Sequence, residues 1–248
     1  MASTITTPPI RIATPRTIIM PITADDPLYR LLAWSSPSYP IGAYSYSHGL
    51  EWAVESGLLG DRADVVAWLA GVLADGAGKV DGAFFAAAWR AVSENGEDRL
   101  DEIAALALAW RGTAELALEA EAQGTAFLTV TLAAWPHPLL AAASRRWQGR
   151  AALPVAAGTA AGCHGVPLEP ALLAYLAALV ANLVSAALRL VPLGQTDAQI
   201  AIAALAPSVA AAAAAAMAAD LDELGSAVPM VDWCSMRHET QYTRLFRS

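Results

Sequence analysis

The sequence predicts an all-α protein, a single compact bundle of roughly eight to ten helices joined by short loops. Three observations predict it. Alanine dominates the composition, and Ala, Leu and Glu favour helix over strand. No run of alternating apolar and polar residues is long enough to argue a half-buried strand. Hydrophobic residues make up 56% and charged residues 15% of 248 residues, which is too apolar for disorder and ample for one large core.

The elements follow in order from their start and stop signals. Asp25-Asp26-Pro27 opens a helix through Leu31 and Trp34, which must stop before Pro37. A second begins near Tyr44 and ends at Gly57, and Asp61 caps a third with Val65, Val66, Trp68, Leu69 and Val72 on its apolar face. A fourth spans 81–94 and stops at Asn95-Gly96. Residues 97–135 read as a long helical stretch with Gly112 and Gly124 as weak points, broken at Pro136-His137-Pro138. Helices follow at 139–148, 153–163, 168–190 and 196–206, with Thr196 as a cap. Pro207 is expected to restart an alanine-rich helix that runs to Leu224. Residues 1–24 are expected to be a disordered extension without a secretory signal, 25–228 the helical domain, and 229–248 a mobile tail.

Residues 171–188 are long enough to span a bilayer. Tyr175, Asn182 and Ser185 interrupt that stretch, and a buried core helix accounts for it without a membrane. The net charge is −8 with Lys79 the single lysine, so the body lacks the cationic surface that nucleic acid requires. Cys163 and Cys234 are far apart, which favours a reducing cytoplasm over a disulfide framework.

No nucleophile elbow, phosphate-binding loop or zinc-protease helix motif is present, so nothing argues for an enzyme or a cofactor. The four histidines form no metal-type pair. Cys234 and His238 share a helix face if the tail is helical, which leaves a nickel-binding metallochaperone as the alternative reading. Glu115, Glu119 and Glu121 cluster as a solvated acidic face.

Three segments stand out in an otherwise alanine-rich chain. Ser36–Glu51 carries two stiffening prolines, then Tyr39, Tyr44, Tyr46 and His48, amphipathic rings suited either to an interface or to a loop packed on its own bundle. Arg189–Gln199 stops one helix and starts the next, with Gln195, Asp197 and Gln199 either binding or simply capping. Cys234–Ser248 gathers Arg237, His238, Tyr242, Arg244, Leu245, Phe246 and Arg247, residue types that anchor interfaces.

Together these segments resemble the UreF family of urease accessory proteins. The first carries its Ser-Pro-x-x-Pro-x-Gly-x-Tyr-Ser-x-Ser-x-Gly-Leu-Glu signature over Ser36–Glu51. The second carries Arg-Leu-x-Pro-Leu-Gly-Gln-x-x-x-Gln over Arg189–Gln199, and the third Ser-Met-Arg-His-Glu-x-Gln-Tyr-x-Arg-Leu-Phe-x-Ser over Ser235–Ser248. Glu119–Gly124 is similar to a weaker fourth block, with Gln123 where the family often has methionine. The resemblance implies an all-α homodimer that bridges the accessory protein UreD/UreH and the nickel-carrying GTPase UreG and docks on apo-urease. It implies a UreD/UreH-binding tail, expected at Arg237, His238, Tyr242, Arg244, Leu245, Phe246 and Arg247, that orders on binding; as polar islands that are also signatures, Tyr44, Tyr46, His48, Glu51, Gln195, Asp197 and Gln199 are the expected UreG surface. Tyr175, in the uncharged helix 168–190, is the expected dimer contact.

Overall fold

Capping chemistry sets where the helices begin. In a computed structural model, which describes residues 23–248, the Asp26 side chain accepts from the Leu28 amide at 2.8 Å and opens α1 (Pro27–Trp34). All but the last two residues of the expected N-terminal extension lie outside the described residues. Asp61 and Asp64 form a reciprocal capping box at the head of α3 (Arg62–Asp75). The remaining helices are α2 (Leu50–Glu55), α4 (Ala77–Ser93), α5 (Glu97–Ala109), α6 (Ala114–Ala134), α7 (Pro138–Arg146), α8 (Leu153–Cys163), α9 (Leu168–Leu190), α10 (Gln195–Ala218) and α11 (Pro229–His238). No strand occurs among the described residues, and the predicted all-α class holds.

The most enclosed helix is α8, in which every residue from Pro154 to Ala161 is buried. It reaches the centre because its side chains are small. A Cβ on Gly158 would stand 2.4 Å from the Phe85 carbonyl oxygen, so α8 and α4 meet almost backbone to backbone. Helix α9, the expected core helix, instead buries one stripe: Leu172, Leu176, Val180, Leu183, Val184 and Ala187. Both α9 and α10 are long and apolar enough to cross a membrane, and burial of that stripe accounts for the apolar face of α9.

Several boundaries differ from the sequence expectation, each for a local reason. Gly112 does break the long stretch, with Thr113 capping α6 through the Leu116 amide at 3.2 Å. Gly124 does not; it lies inside α6 where a Cβ would sit 2.0 Å from the Ala151 carbonyl oxygen, so it serves close approach. Pro207 lies inside a continuous α10; Pro207 and Ala203 are both exposed, so the Ala203 carbonyl that loses its helical donor is on the solvent side of the helix. Leu205, Val209 and Ala213 hold the helix together from its buried side. Asp197, not Thr196, caps α10, reaching back to the Gly194 amide at 3.3 Å while its other oxygen meets Arg62 at 2.5 Å.

Helix α2 starts six residues later than Tyr44, which lies in a short 3-10 turn, Ala43–Ser45. Between them His48 and Gly49 take consecutive left-handed conformations, φ 56° and 79°. A Cβ on Gly49 would come 3.1 Å from the Ser235 amide, so α11 presses directly on this turn. The turn aims Ser47 and His48 inward, where both are buried.

Candidate functional site

The signature segments converge on one buried polar network that seats the C-terminal segment. Glu51, in the first turn of α2, is its hub. One carboxylate oxygen accepts the Leu245 amide at 2.6 Å. The other accepts the Phe246 amide at 2.9 Å and stands 2.9 Å from His238 Nε2. His238 Nδ1 is 2.7 Å from Glu115 Oε2, and Arg244 reaches the other Glu115 oxygen at 2.9 Å. Both ring nitrogens of His238 thus stand against carboxylate oxygens, one from α2 and one from α6.

A second set of contacts closes the end of the chain. Ser248 Oγ donates to Glu119 at 2.8 Å, and the Ser47 amide donates to the Ser248 carbonyl at 2.9 Å. The Ser47 hydroxyl also donates to that carbonyl. Gln123 Nε2 donates to Glu119 at 3.2 Å, and the Arg247 amide donates to the Ser45 carbonyl at 2.8 Å. Arg189, at the end of α9, donates to the Tyr44 carbonyl at 2.8 Å and lies over the Phe246 ring, 4.3 Å from its centroid. The expected mobile tail is therefore docked: α11 carries it to His238, and His238, Phe246 and Ser248 are buried.

The expected site residues divide into two groups. Tyr44, 71% exposed, faces solvent together with Gln195 and Gln199, and Asp197 is half-buried against Arg62. Tyr46, His48 and Glu51 do not present themselves to a partner; all three are buried beneath the C-terminal segment. In the tail, Arg237, Tyr242, Arg244, Leu245 and Arg247 are exposed while His238 and Phe246 point inward. Tyr175 also turns inward, donating to Asp81 at 3.1 Å and packing on Phe85. Its burial and the Asp81 charge push the phenol well above its usual range.

The expectation of a solvated acidic face on α6 is corrected. Residues 115, 119 and 123 share one helix face at i, i+4 spacing, and that face is buried. Only Glu121 points outward, to Arg150 at 2.6 Å. The i, i+4 spacing was the available signal; nothing in it named His238 or Ser248 as partners. The metal-binding alternative also loses its ligands. Both His238 ring nitrogens face carboxylates, and burial pushes the Cys234 thiol up to about 11, holding it protonated.

His48 Nδ1 stands 3.5 Å from Glu119, an ion-pair distance. Burial alone would lower the His48 pKa; the Glu119 charge, helped by Asp81, outweighs it and raises the value. Burial would likewise raise Glu119, and His48 with the Ser248 hydroxyl lowers it. A raised histidine stabilises the fold fully below its ordinary value and loses that contribution as pH rises through the folded value. A depressed carboxyl stabilises fully above its ordinary value and loses it on acidification. Both contributions are thus complete between about pH 4.5 and 6.5. Urea unfolding of the parent should weaken more steeply from pH 6.5 to 8.5 than that of His48→Gln. Equal slopes would show that the pair does not carry this dependence.

Comparison with known proteins places the chain in one family. The UreF family profile matches residues 59–206. Urease accessory protein UreF of Granulibacter bethesdensis is 54% identical over 226 residues, covering 91% of this chain and 96% of the relative. The protein of the same description from Rhodopseudomonas palustris (strain BisB5) is 51% identical over 89% of this chain and 91% of its own length. That from Methylorubrum populi is 52% identical over 88% and 98% respectively. By profile and by relatives that match it nearly end to end, this chain belongs to the UreF family.

Proposed function

We propose that the chain is a non-enzymatic, cofactor-free cytoplasmic scaffold of urease maturation. In this reading it forms a homodimer, bridges UreD/UreH and the GTPase UreG, and acts on apo-urease through the assembled complex so that nickel can be inserted. Family membership supports the urease setting. The observation that carries the scaffold reading is the outer face of the docked C-terminal segment. Trp233, Met236, Tyr242 and Leu245 are exposed large apolar residues there, beside the cation of Arg237, which lies over both Trp52 and Trp233. Buried interface cores favour such aromatic, Met and Arg side chains. The polar residues beneath are engaged with one another, which suits a rigid platform rather than a reaction centre.

The UreG surface in this proposal is the exposed set Tyr44, Gln195 and Gln199. Arg189 is tied to the Tyr44 carbonyl and to the Phe246 ring, which favours an effect on the partner's switch loops over an inserted arginine finger. Tyr44→Ala, Gln195→Ala and Gln199→Ala should each weaken capture of UreG, and together by roughly tenfold or more. UreD/UreH capture and the helical circular-dichroism signal should stay unchanged. Parent-like capture of UreG by the triple variant would place the GTPase elsewhere on the molecule.

A further inference from the structure

A cavity of about 90 Å³ lies between α1 and α9, apart from both partner faces proposed above. Half-buried residues form its mouth: Leu31 and Ser35 of α1, Ala43 of the 3-10 turn, and Ala178 and Asn182 of α9. Buried Phe85, Phe127, Ala157 and Ala161 make its inner wall. A single water needs roughly 10–15 Å³ of such space, so the cavity has room for several, or for one compact organic molecule. An apolar wall with a few polar groups is the usual make-up of a small-molecule site.

The polar groups here are acceptors. Gln123, on the inner face of α6, is 5% exposed and lines the cavity. Its Nε2 donates to Glu119 at 3.2 Å, which turns Oε1 away from that carboxylate. No group among the described residues donates to Gln123 Oε1, although buried acceptors are normally satisfied. That oxygen is not sealed in by protein, so the cavity that Gln123 lines is the space it faces. Asn182 repeats the arrangement at the mouth: Nδ2 donates to the Ala43 carbonyl at 3.2 Å, and Oδ1 has no donor. Glu119 lines the same inner end. No arginine, lysine or histidine lines the cavity, so a ligand carboxylate would meet acceptors and no cation.

We propose that this cavity binds a compact organic molecule with an apolar body and an amine or amide N–H head, the body against Phe85 and Phe127 and the head on Gln123 Oε1. The full chain is titrated calorimetrically with benzylamine, and separately with benzoate and toluene, at constant pH and ionic strength. Saturable benzylamine binding in roughly the millimolar range is expected, with benzoate about tenfold weaker or more. Gln123→Met keeps the side-chain length and removes the acceptor. It should weaken benzylamine roughly fivefold or more and change toluene less than about twofold. Ala178→Leu fills the mouth without touching the polar groups and should weaken both probes roughly tenfold or more; it keeps the test decisive where Gln123→Met fails to fold. Absence of saturable benzylamine binding by the parent would overturn the proposal, as would parent-like affinity in Ala178→Leu. Benzoate binding as tight as benzylamine, or equal loss of benzylamine and toluene in Gln123→Met, would overturn the assignment of the N–H head.

Discussion

Glu51→Ala is expected to destabilise the protein by about 3–5 kcal/mol and to free the C-terminal segment, because it removes one partner from a buried ionic network. Three groups lose their acceptor at once: the Leu245 amide, the Phe246 amide and His238 Nε2. The alanine side chain leaves space but no oxygen, and His238 is then held by Glu115 alone. Glu51→Gln should cost less, since its amide oxygen can still accept from one backbone donor. Arg150→Ala is the control. Its pair with Glu121 is equally short but exposed, and exposed pairs contribute about 0–1 kcal/mol. Urea unfolding measures the first effect. Trypsin measures the second, since Arg244 and Arg247 become better substrates once the segment lifts away. A change in stability below about 1 kcal/mol, with unaltered cleavage, would mean that Glu51 is not the anchor.

The all-α class and most helix positions were legible because they depend on local signals. Asp26 and Asp61 cap where such residues cap, and Gly112 breaks the chain where the next residue, Thr113, can start a helix. What was hidden depends on pairing across the fold. Glu51 and His238 are 187 residues apart, and Glu115 and His238 are 123 apart, so no window along the chain contains both members. Polar residues in an apolar sequence therefore read as a partner surface when several of them were internal ties. Gly124 and Pro207 misled for a related reason. A glycine tolerates a neighbour's backbone, and a proline survives where its helix turns the broken bond to water; both depend on what stands opposite. The signature segments were recognisable by type and order, and their common destination was visible only in three dimensions.

Partner binding should separate from stability at adjacent positions of the C-terminal segment. Tyr242 is 102% exposed and Leu245 61% exposed, whereas Phe246 is buried against the Arg189 guanidinium. The Leu245 and Phe246 amides both bind Glu51, so the backbone is fixed while the side chains alternate outward and inward. Under the proposed scaffold role, Tyr242→Ala and Leu245→Ala should each weaken UreD/UreH binding by about 2 kcal/mol or more, near thirtyfold, with unfolding unchanged. Phe246→Ala should instead cost about 3–5 kcal/mol of stability, as large core truncations do. A segment already seated would also escape most of the ordering cost of coupled folding, whereas a mobile tail that orders on binding would pay it. Amide hydrogen exchange in the free protein decides that point: Leu245 and Phe246 should be protected as well as the amides of α11. Fast exchange at both would return the segment to a mobile tail. Full-strength UreD/UreH binding by the Tyr242→Ala, Leu245→Ala double variant would remove this face from the interface.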